Sequence, residues 1–191
     1  MIRIALADDA TAFHDIYTPS VLHGVETFET ELPGVDAMRE RVVTRLRQYP
    51  WIVWEEDGRV LAYAYASRFR ERAAYDWIAE TSIYVHPDAR RRGIARRLYG
   101  AQLDAMRLQG INQAVGVITL PGQSSVTMHE SMGFTPAGVW RSSGYKLGQW
   151  WDVGVWQLQL QAPENPPRPV VPFAALRETA EWAALLQRIN S

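Results

Sequence analysis

Residues 79–98, Ala-Glu-Thr-Ser-Ile-Tyr-Val-His-Pro-Asp-Ala-Arg-Arg-Arg-Gly-Ile-Ala-Arg-Arg-Leu, constrain the fold more than any other stretch. Glu80 to Val85 predicts a β-strand with an acidic residue inside it. Arg90, Arg91 and Arg92 precede Gly93, and from Ile94 onward apolar residues recur at helical spacing. A strand, a glycine loop and a helix start together make an anion site, because the first helical amides have no internal partner and carry partial positive charge. The loop is neither a dinucleotide fingerprint nor a P-loop, since G-x-G-x-x-G is absent and no Gly-Lys-Ser/Thr follows.

A chain of 191 residues suits one domain with an appendage. Its net charge of −1 supplies no field for nucleic acid or an anionic membrane. No apolar run is long enough to span a bilayer, and the N-terminus lacks a signal-peptide pattern. Zero cysteines exclude disulfides, thiolate metal sites and a cysteine nucleophile, and no metal is required by any pattern. These features read as a soluble, cytoplasmic protein.

In chain order, Ile2–Leu6 predicts a strand, and Asp8 or Asp9 a cap for the helix through Ala12, Phe13 and Ile16. Pro19 and Gly24 break regularity before a second helix over 35–49. Strands at 51–55 and 60–66 flank Asp57-Gly58, a strong hairpin signal. Ile94, Leu98, Ala101, Ala105 and Leu108 form one face of a helix that Gly110 ends. A buried strand over 113–120 follows, then a helix capped by Ser124 or Ser125, then strands near 139–147 and 153–160. The order predicts an α/β (α+β) domain over residues 1–162, a mixed and mostly antiparallel sheet with helices on both faces. Five prolines make residues 163–172 a stiff connector, and residues 173–191 predict a helix with Leu176, Ala180, Ala183 and Leu186 on one stripe. That helix reads as an arm packed on its own domain, with a partner-clasping arm as the alternative.

Arg90-Arg91-Arg92-Gly93-Ile94-Ala95 resembles the [Q/R]-x-x-G-x-[G/A] pyrophosphate loop of the GNAT acetyltransferase superfamily, with Ala95 in a place where glycine is common. Further stretches narrow the resemblance: Thr27–Glu31, Tyr49-Pro50-Trp51, Ala74–Glu80, Met128–Phe134 and Gly144–Gln157 are similar to the phosphinothricin / methionine sulfoximine N-acetyltransferases, in that family's order and over roughly residues 2 to 170. The resemblance implies acetyl-CoA as co-substrate, a small amino-acid-like amine as acceptor and a homodimer.

Acetyl transfer needs a neutral amine, yet an α-ammonium is mostly protonated at neutral pH, so a positioned base must take a proton. Glu80, a carboxylate in an apolar strand, suits that task, since burial raises its pKa. It matches the family's general base. His129 shares an inward stripe with Val126 and Met132 and matches a histidine near the family's active site, as a proton relay or a cofactor-positioning group. Tyr84 is an alternative donor to the leaving thiolate. For the cofactor, the resemblance implies the backbone of Ile83, Tyr84 and Val85 for the pantetheine arm. It implies Arg90, Arg91, Arg92, Gly93, Ile94, Ala95 and Arg96 for the pyrophosphate. Relatives often have Asn where Gly122 stands, so only Ser125 is carried over from that loop.

A substrate carboxylate needs a cation, and Arg70 and Arg72 in Ser67–Arg72 provide it. Phe28 and Tyr75 border the amine by resemblance, and Ser82 alters the pocket floor relative to phosphinothricin-specific relatives. The reading is direct transfer from acetyl-CoA to a small α-amino acid or analogue. Acetylation of a protein N-terminus or another small amine is the alternative among enzymes, and a non-catalytic acyl-CoA-binding module the alternative outside them. The short basic cluster in a near-neutral chain makes a poor nucleic-acid binder.

Overall fold

A computed structural model describes residues 1–191. The elements run β1 (Ile2–Ile4), α1 (Ala10–Leu22), α2 (Val35–Arg45), β2 (Trp51–Glu56), β3 (Arg59–Arg68), β4 (Ile78–Val85) and α3 (Ile94–Gln109). Then come β5 (Gln113–Thr119), α4 (Gln123–Ser131), β6 (Thr135–Lys146), β7 (Gln149–Gln159), α5 (Phe173–Leu176) and α6 (Ala180–Asn190). One seven-stranded sheet has the order β1-β2-β3-β4-β5-β7-β6. Every neighbouring pair is antiparallel except β4 and β5. The β2–β3 hairpin turns at Asp57 (φ 50°) and Gly58 (φ 74°), the two positive φ values that a type I′ turn requires.

Strand alternation divides the core. Phe13, Tyr17, Met38 and Val42 of α1 and α2 cover one face, against Trp51, Val53 and Tyr63. On the other, Leu98 and Ala105 of α3 and Phe173, Leu176, Trp182 and Leu185 of α5 and α6 pack on Ile52, Trp54, Ala62 and Ala64. Further along that face Tyr99, Leu103 and Met106 meet Ala114, Ile118 and Phe134. No helix is long and apolar enough to cross a membrane.

Several local expectations are corrected. Pro19 lies inside α1 rather than ending it. Proline there removes a single donor, the last turn still closes from the His23 amide to Pro19 O at 2.9 Å, and Ser20 and Val21 are buried in it. The Asp8 and Asp9 carboxylates make no capping bond at α1; Asp9 instead holds Arg3 at 2.7 Å and accepts the Leu6 amide at 2.8 Å. Helix α2 ends at Arg45, not Tyr49; residues 46–48 form a turn, and Pro50 disfavours helical geometry only in Tyr49, the residue before it. Neither Ser124 nor Ser125 caps α4, which starts at Gln123 after Gly122 in the left-handed region (φ 36°). Leu108 is 38 % exposed, off the buried arc of α3.

The expected single C-terminal helix is two. Between them Thr179 caps α6, its hydroxyl accepting the Trp182 amide at 3.3 Å. The break resets the helical phase, so Trp182 and Leu185 are buried while Ala180 and Ala183 are exposed. At the far end the Asn190 side chain accepts the Ile2 amide at 2.6 Å and donates to Ile2 O at 2.8 Å, which satisfies part of the open edge of β1.

One irregularity positions the site. β4 and β5 pair only at Ile78/Gln113, Ala79/Ala114 and Glu80/Val115. Beyond Glu80 they part, although β4 stays paired to β3 as far as Val85 and β5 to β7 as far as Thr119. Residues 81–85 and 116–119 therefore each present one edge without a strand partner.

Candidate active site

At the apex of that opening, alternation sends Glu80 to the α1/α2 face and Thr81 to the α3 face. The register places Ser67 opposite Glu80, Tyr65 opposite Ser82 and Tyr63 opposite Tyr84 on the Glu80 side. Glu80 is half-buried, and burial pushes its carboxyl above the usual range while Arg45, then Arg70, pull it back. Arg45 comes from the last turn of α2, and its guanidinium stands 4.6 Å from the Tyr65 ring centroid and 5.7 Å from that of Trp51. Tyr84 stacks on Tyr63 at 5.3 Å and meets Tyr17 edge-on at 4.9 Å, and burial keeps its hydroxyl protonated far above neutral pH.

Opposite this, His129 is buried with both ring nitrogens engaged. Nδ1 lies 2.8 Å from Ser125 O and Nε2 3.0 Å from the Tyr99 hydroxyl, which lies 2.5 Å from Thr81 Oγ1; Thr81 in turn reaches Val115 O at 3.0 Å. A carbonyl only accepts, so Nδ1 carries a proton. Burial lowers the His129 pKa, against the Ser125 bond, and favours the neutral ring. Tyr99 then donates to Nε2, and the single Thr81 hydroxyl proton serves either the Tyr99 oxygen or Val115 O at any one time, not both. A Cβ at Gly116 would stand 2.5 Å from His129 Nε2, so the ring occupies the space that a side chain there would take. Glu80 and His129 thus flank the opening from opposite faces of the sheet.

The Arg90–Arg92 loop turns through left-handed Arg91 (φ 58°) and Gly93 (φ 76°), the kind of backbone that forms anion-binding concavities. Gly93 offers no side-chain cap, and Arg97 is the first amide of α3 with a backbone partner, Gly93 O at 3.2 Å. The amides of Ile94, Ala95 and Arg96 are left for a ligand. Arg92 is held by Glu56 at 2.7 Å, whereas Arg90 and Arg91 are exposed without ion pairs. Arg96 reaches Ser131 Oγ at 3.2 Å and so ties α3 to α4. Among the other residues expected at the cofactor, Ile83 packs into the core, and the half-buried Ser125 spends its carbonyl on His129.

The residues expected to meet the substrate lie in three places. Ser82 is on the Glu80 face, and Arg70 stacks on Phe69 at 5.0 Å near enough to act on Glu80. Arg72 and Tyr75 are exposed on the β3–β4 connection, where Arg68 is occupied by Asp76 at 3.4 Å. Phe28 sits apart, its ring against the backbone of Gly144, and Lys146 fastens the same hairpin to Ser20 O at 2.9 Å and Thr27 O at 2.8 Å. A depression of about 660 Å³ lined by Leu120, Val126, Trp150 and Trp156 lies at the far end of β5, beside the opening rather than at Glu80. No group of three or more His, Asp or Glu side chains is gathered as metal ligands.

The sequence profile described as the acetyltransferase (GNAT) family matches residues 11–134. The chain belongs to the GNAT acetyltransferase family. It is 39% identical over 175 residues to a phosphinothricin N-acetyltransferase of Streptomyces viridochromogenes, covering 92% of this chain and 95% of the relative. It is 32% identical to the L-methionine sulfoximine/L-methionine sulfone acetyltransferase of Salmonella typhimurium, over 83% of this chain and 94% of that one. Among solved structures, a GNAT superfamily phosphinothricin acetyltransferase from Sinorhizobium meliloti in complex with AcCoA superposes with a TM-score of 0.83 at 34% identity, covering 91% and 97%. Within the GNAT family this chain therefore groups with the phosphinothricin and methionine sulfoximine acetyltransferases.

Sequence reasoning missed Arg45, Thr81, Tyr99 and Gly116. Arg45 had a signal: it lies three residues after Val42 and seven after Met38, so a charge sits on the apolar stripe of α2. The contact between Gly116 and His129 joins distant segments and had no local signal.

Proposed function

We propose that this GNAT chain transfers the acetyl group of acetyl-CoA to the α-amine of a small amino acid or analogue, in a ternary complex. The observation that carries the reading is Glu80, a half-buried carboxylate at the apex of the strand opening with its pKa raised by burial. The partnerless edges of 81–85 and 116–119 fit an extended thioester arm. The free amides of residues 94–96, with Arg90 and Arg91 nearby, fit a pyrophosphate.

Glu80 takes a proton from the bound ammonium, directly or through a water, and frees the nitrogen lone pair. The nitrogen then bonds to the thioester carbonyl carbon, the carbon–sulfur bond breaks, and the thiolate leaves with the second proton that the nitrogen sheds as the amide forms. With no cysteine in the chain, a thioester to the enzyme is not available. His129 is read as a positioning group whose ring props α4 against β5, and Arg70 and Arg72 as the carboxylate clamp.

Glu80→Gln is expected to lower kcat by about 10²-fold or more while acetyl-CoA affinity stays near wild type. Near-wild-type turnover would remove Glu80 as the base. We also read the protein as a cytoplasmic homodimer. Supporting the dimer, the β6–β7 hairpin exposes Val139, Trp140, Tyr145, Leu147 and Trp150 on one hairpin, more apolar surface than an edge needs for itself. Light scattering on wild type and Trp150→Glu tests it: a dimer mass that falls to monomer in the variant is expected, and a monomeric wild type overturns it.

A further inference from the structure

Past Glu80 the sheet is two half-sheets with a gap between them. One half, β1 to β4, carries α1, α2 and the connection at residues 23–34; β5, β7 and β6 form the other. On the α3 face Thr81 and Tyr99 tie the halves through Val115 O and His129. On the Glu80 face, two hydrogen bonds and no ion pair join residues 1–45 to residues 113–160. Both come from Lys146, whose Nζ donates to Ser20 O at 2.9 Å and to Thr27 O at 2.8 Å.

The hairpin is shaped to reach that point. β7 begins at Gln149, four residues ahead of Val153, the partner of Thr119 at the end of β5. At a rise of roughly 3.3 Å per residue, the tip overhangs β5 by about 13 Å. A bulge between Trp140 and Gly144, with Ser142 left-handed (φ 45°) and its amide held by Asp152 at 2.8 Å, bends β6 and re-aims the residues after it. Gly144 and Lys146 are then buried, while Tyr145 between them is exposed. The bare backbone of Gly144 admits the Phe28 ring, where a Cβ would collide with it. The connection is anchored on its other side as well. The Thr27 hydroxyl lies 2.6 Å from that of Tyr17, Glu29 pairs with Arg41 at 2.8 Å, and Leu32 packs into the α1/α2 core.

Lys146 is the single lysine among 20 basic residues, and it is 4 % exposed. Glu26 and Glu29 act on it only through space, and its ammonium rests on the end of α1, where the last carbonyls lack intrahelical partners. One ammonium can aim at two convergent carbonyls, whereas the rigid fork of a guanidinium spreads its donors. Burying a charge is a costly way to pin a hairpin, and apolar packing would hold it as well. What the ammonium adds is direction: two bonds from one atom fix where the connection stands across the opening.

We propose that Lys146 is a positioning residue for acetyl transfer, clasping the two half-sheets across their open end so that Phe28 and residues 23–34 stand as a fixed wall for the acceptor amine. This inference rests on the amino-acid acetylation reading. The test compares wild type with Lys146→Met, which keeps the length and loses the donors. Lys146→Cys is prepared both unmodified and aminoethylated during unfolding and refolding, which restores an ammonium at nearly the same length. No other cysteine competes for the reagent, and wild type taken through the same cycle is the reference.

With L-methionine sulfone and L-phosphinothricin as acceptors, Lys146→Met should raise KM for the amine at least about tenfold and leave KM for acetyl-CoA within about twofold. Unmodified Lys146→Cys should show the same split, so it is read even if the Met variant is not recovered folded. Aminoethylation should return most of the lost affinity. Amide hydrogen exchange should quicken in residues 23–34 and stay unchanged in β2 to β4. An unchanged amine KM, an equal rise in both KM values, a fall in kcat alone, or no recovery on aminoethylation overturns the proposal. If wild type acetylates neither amine, the acetylation reading fails separately. Exchange then decides for the clasp: quickening confined to residues 23–34 supports it, and unchanged or general quickening overturns it.

Discussion

At Glu80 the proposed function opposes stability. Burial raises its folded pKa above the unfolded value, so the stability contributed by the protonated form is fully present below the unfolded pKa, about 4.3, and is lost as pH rises through the folded pKa. Glu80→Gln is therefore expected to raise the melting temperature at neutral pH and to lose that advantage near pH 4, as thermal melts at the two pH values would read. In the proposed role of base, catalysis has the opposite sign, because the base must be ionised: kcat/KM should fall as pH drops through the raised pKa. Arg45→Met removes a charge that favours the carboxylate, so the acidic limb should move to higher pH; a limb that stays or moves down refutes the coupling. On the opposite face, Gly116→Ala would force its Cβ into the His129 ring and cost about 1–3 kcal/mol. Adding His129→Ala should recover part of that loss, which a denaturant-unfolding double-mutant cycle measures.

Among the elements, α3 shows both how readable the chain was and where reading stopped. Its start after Gly93, its end before Gly110 (φ 86°) and most of its inward face follow from spacing and from glycine's tolerance of left-handed backbone. Its burial is wider than one stripe, because the sheet covers one side and α5 and α6 another, which leaves Gln102 fully buried with neither amide atom bonded. Gln102→Leu is expected to stabilise the protein by about 1–3 kcal/mol, since an orphaned amide leaves the core. A lower midpoint in urea would count against that. The long β6–β7 hairpin and the break between α5 and α6 were less legible. Exposed Trp and Val read like core residues, and the phase reset at Thr179 depends on what α6 packs against.

For the whole molecule, the C-terminal segment is part of the core. Val171, Phe173 and Ala174 donate to Gln109 O, Gln48 O and Arg47 O, and the Gln109 amide bridges Gln48 O and Val171 O at 2.7 and 2.8 Å. Removing residues 173–191 strips Phe173, Leu176, Trp182 and Leu185 from the face under Ile52, Trp54 and Ala62. At about 1.5–3 kcal/mol for each large apolar side chain, that loss is comparable to the stability of an ordinary domain. The truncated chain should be recovered unfolded or aggregated; a folded, active truncation of unchanged melting temperature would show the packing to be dispensable.

The sequence by itself determined the α/β order, the Asp57-Gly58 hairpin, the glycine loop opening α3 and the placing of a carboxylate in β4. Each depends on local periodicity or on the conformational freedom of one or two residues. Only the tertiary structure decided that β4 and β5 separate just past Glu80, that Glu80 and His129 sit on opposite faces, and that Arg45 stands over Tyr65. Those arrangements come from contacts between residues far apart in the chain, such as Thr81 with Val115, Gly116 with His129 and Arg45 with Tyr65, and no local pattern encodes which distant side chains will meet.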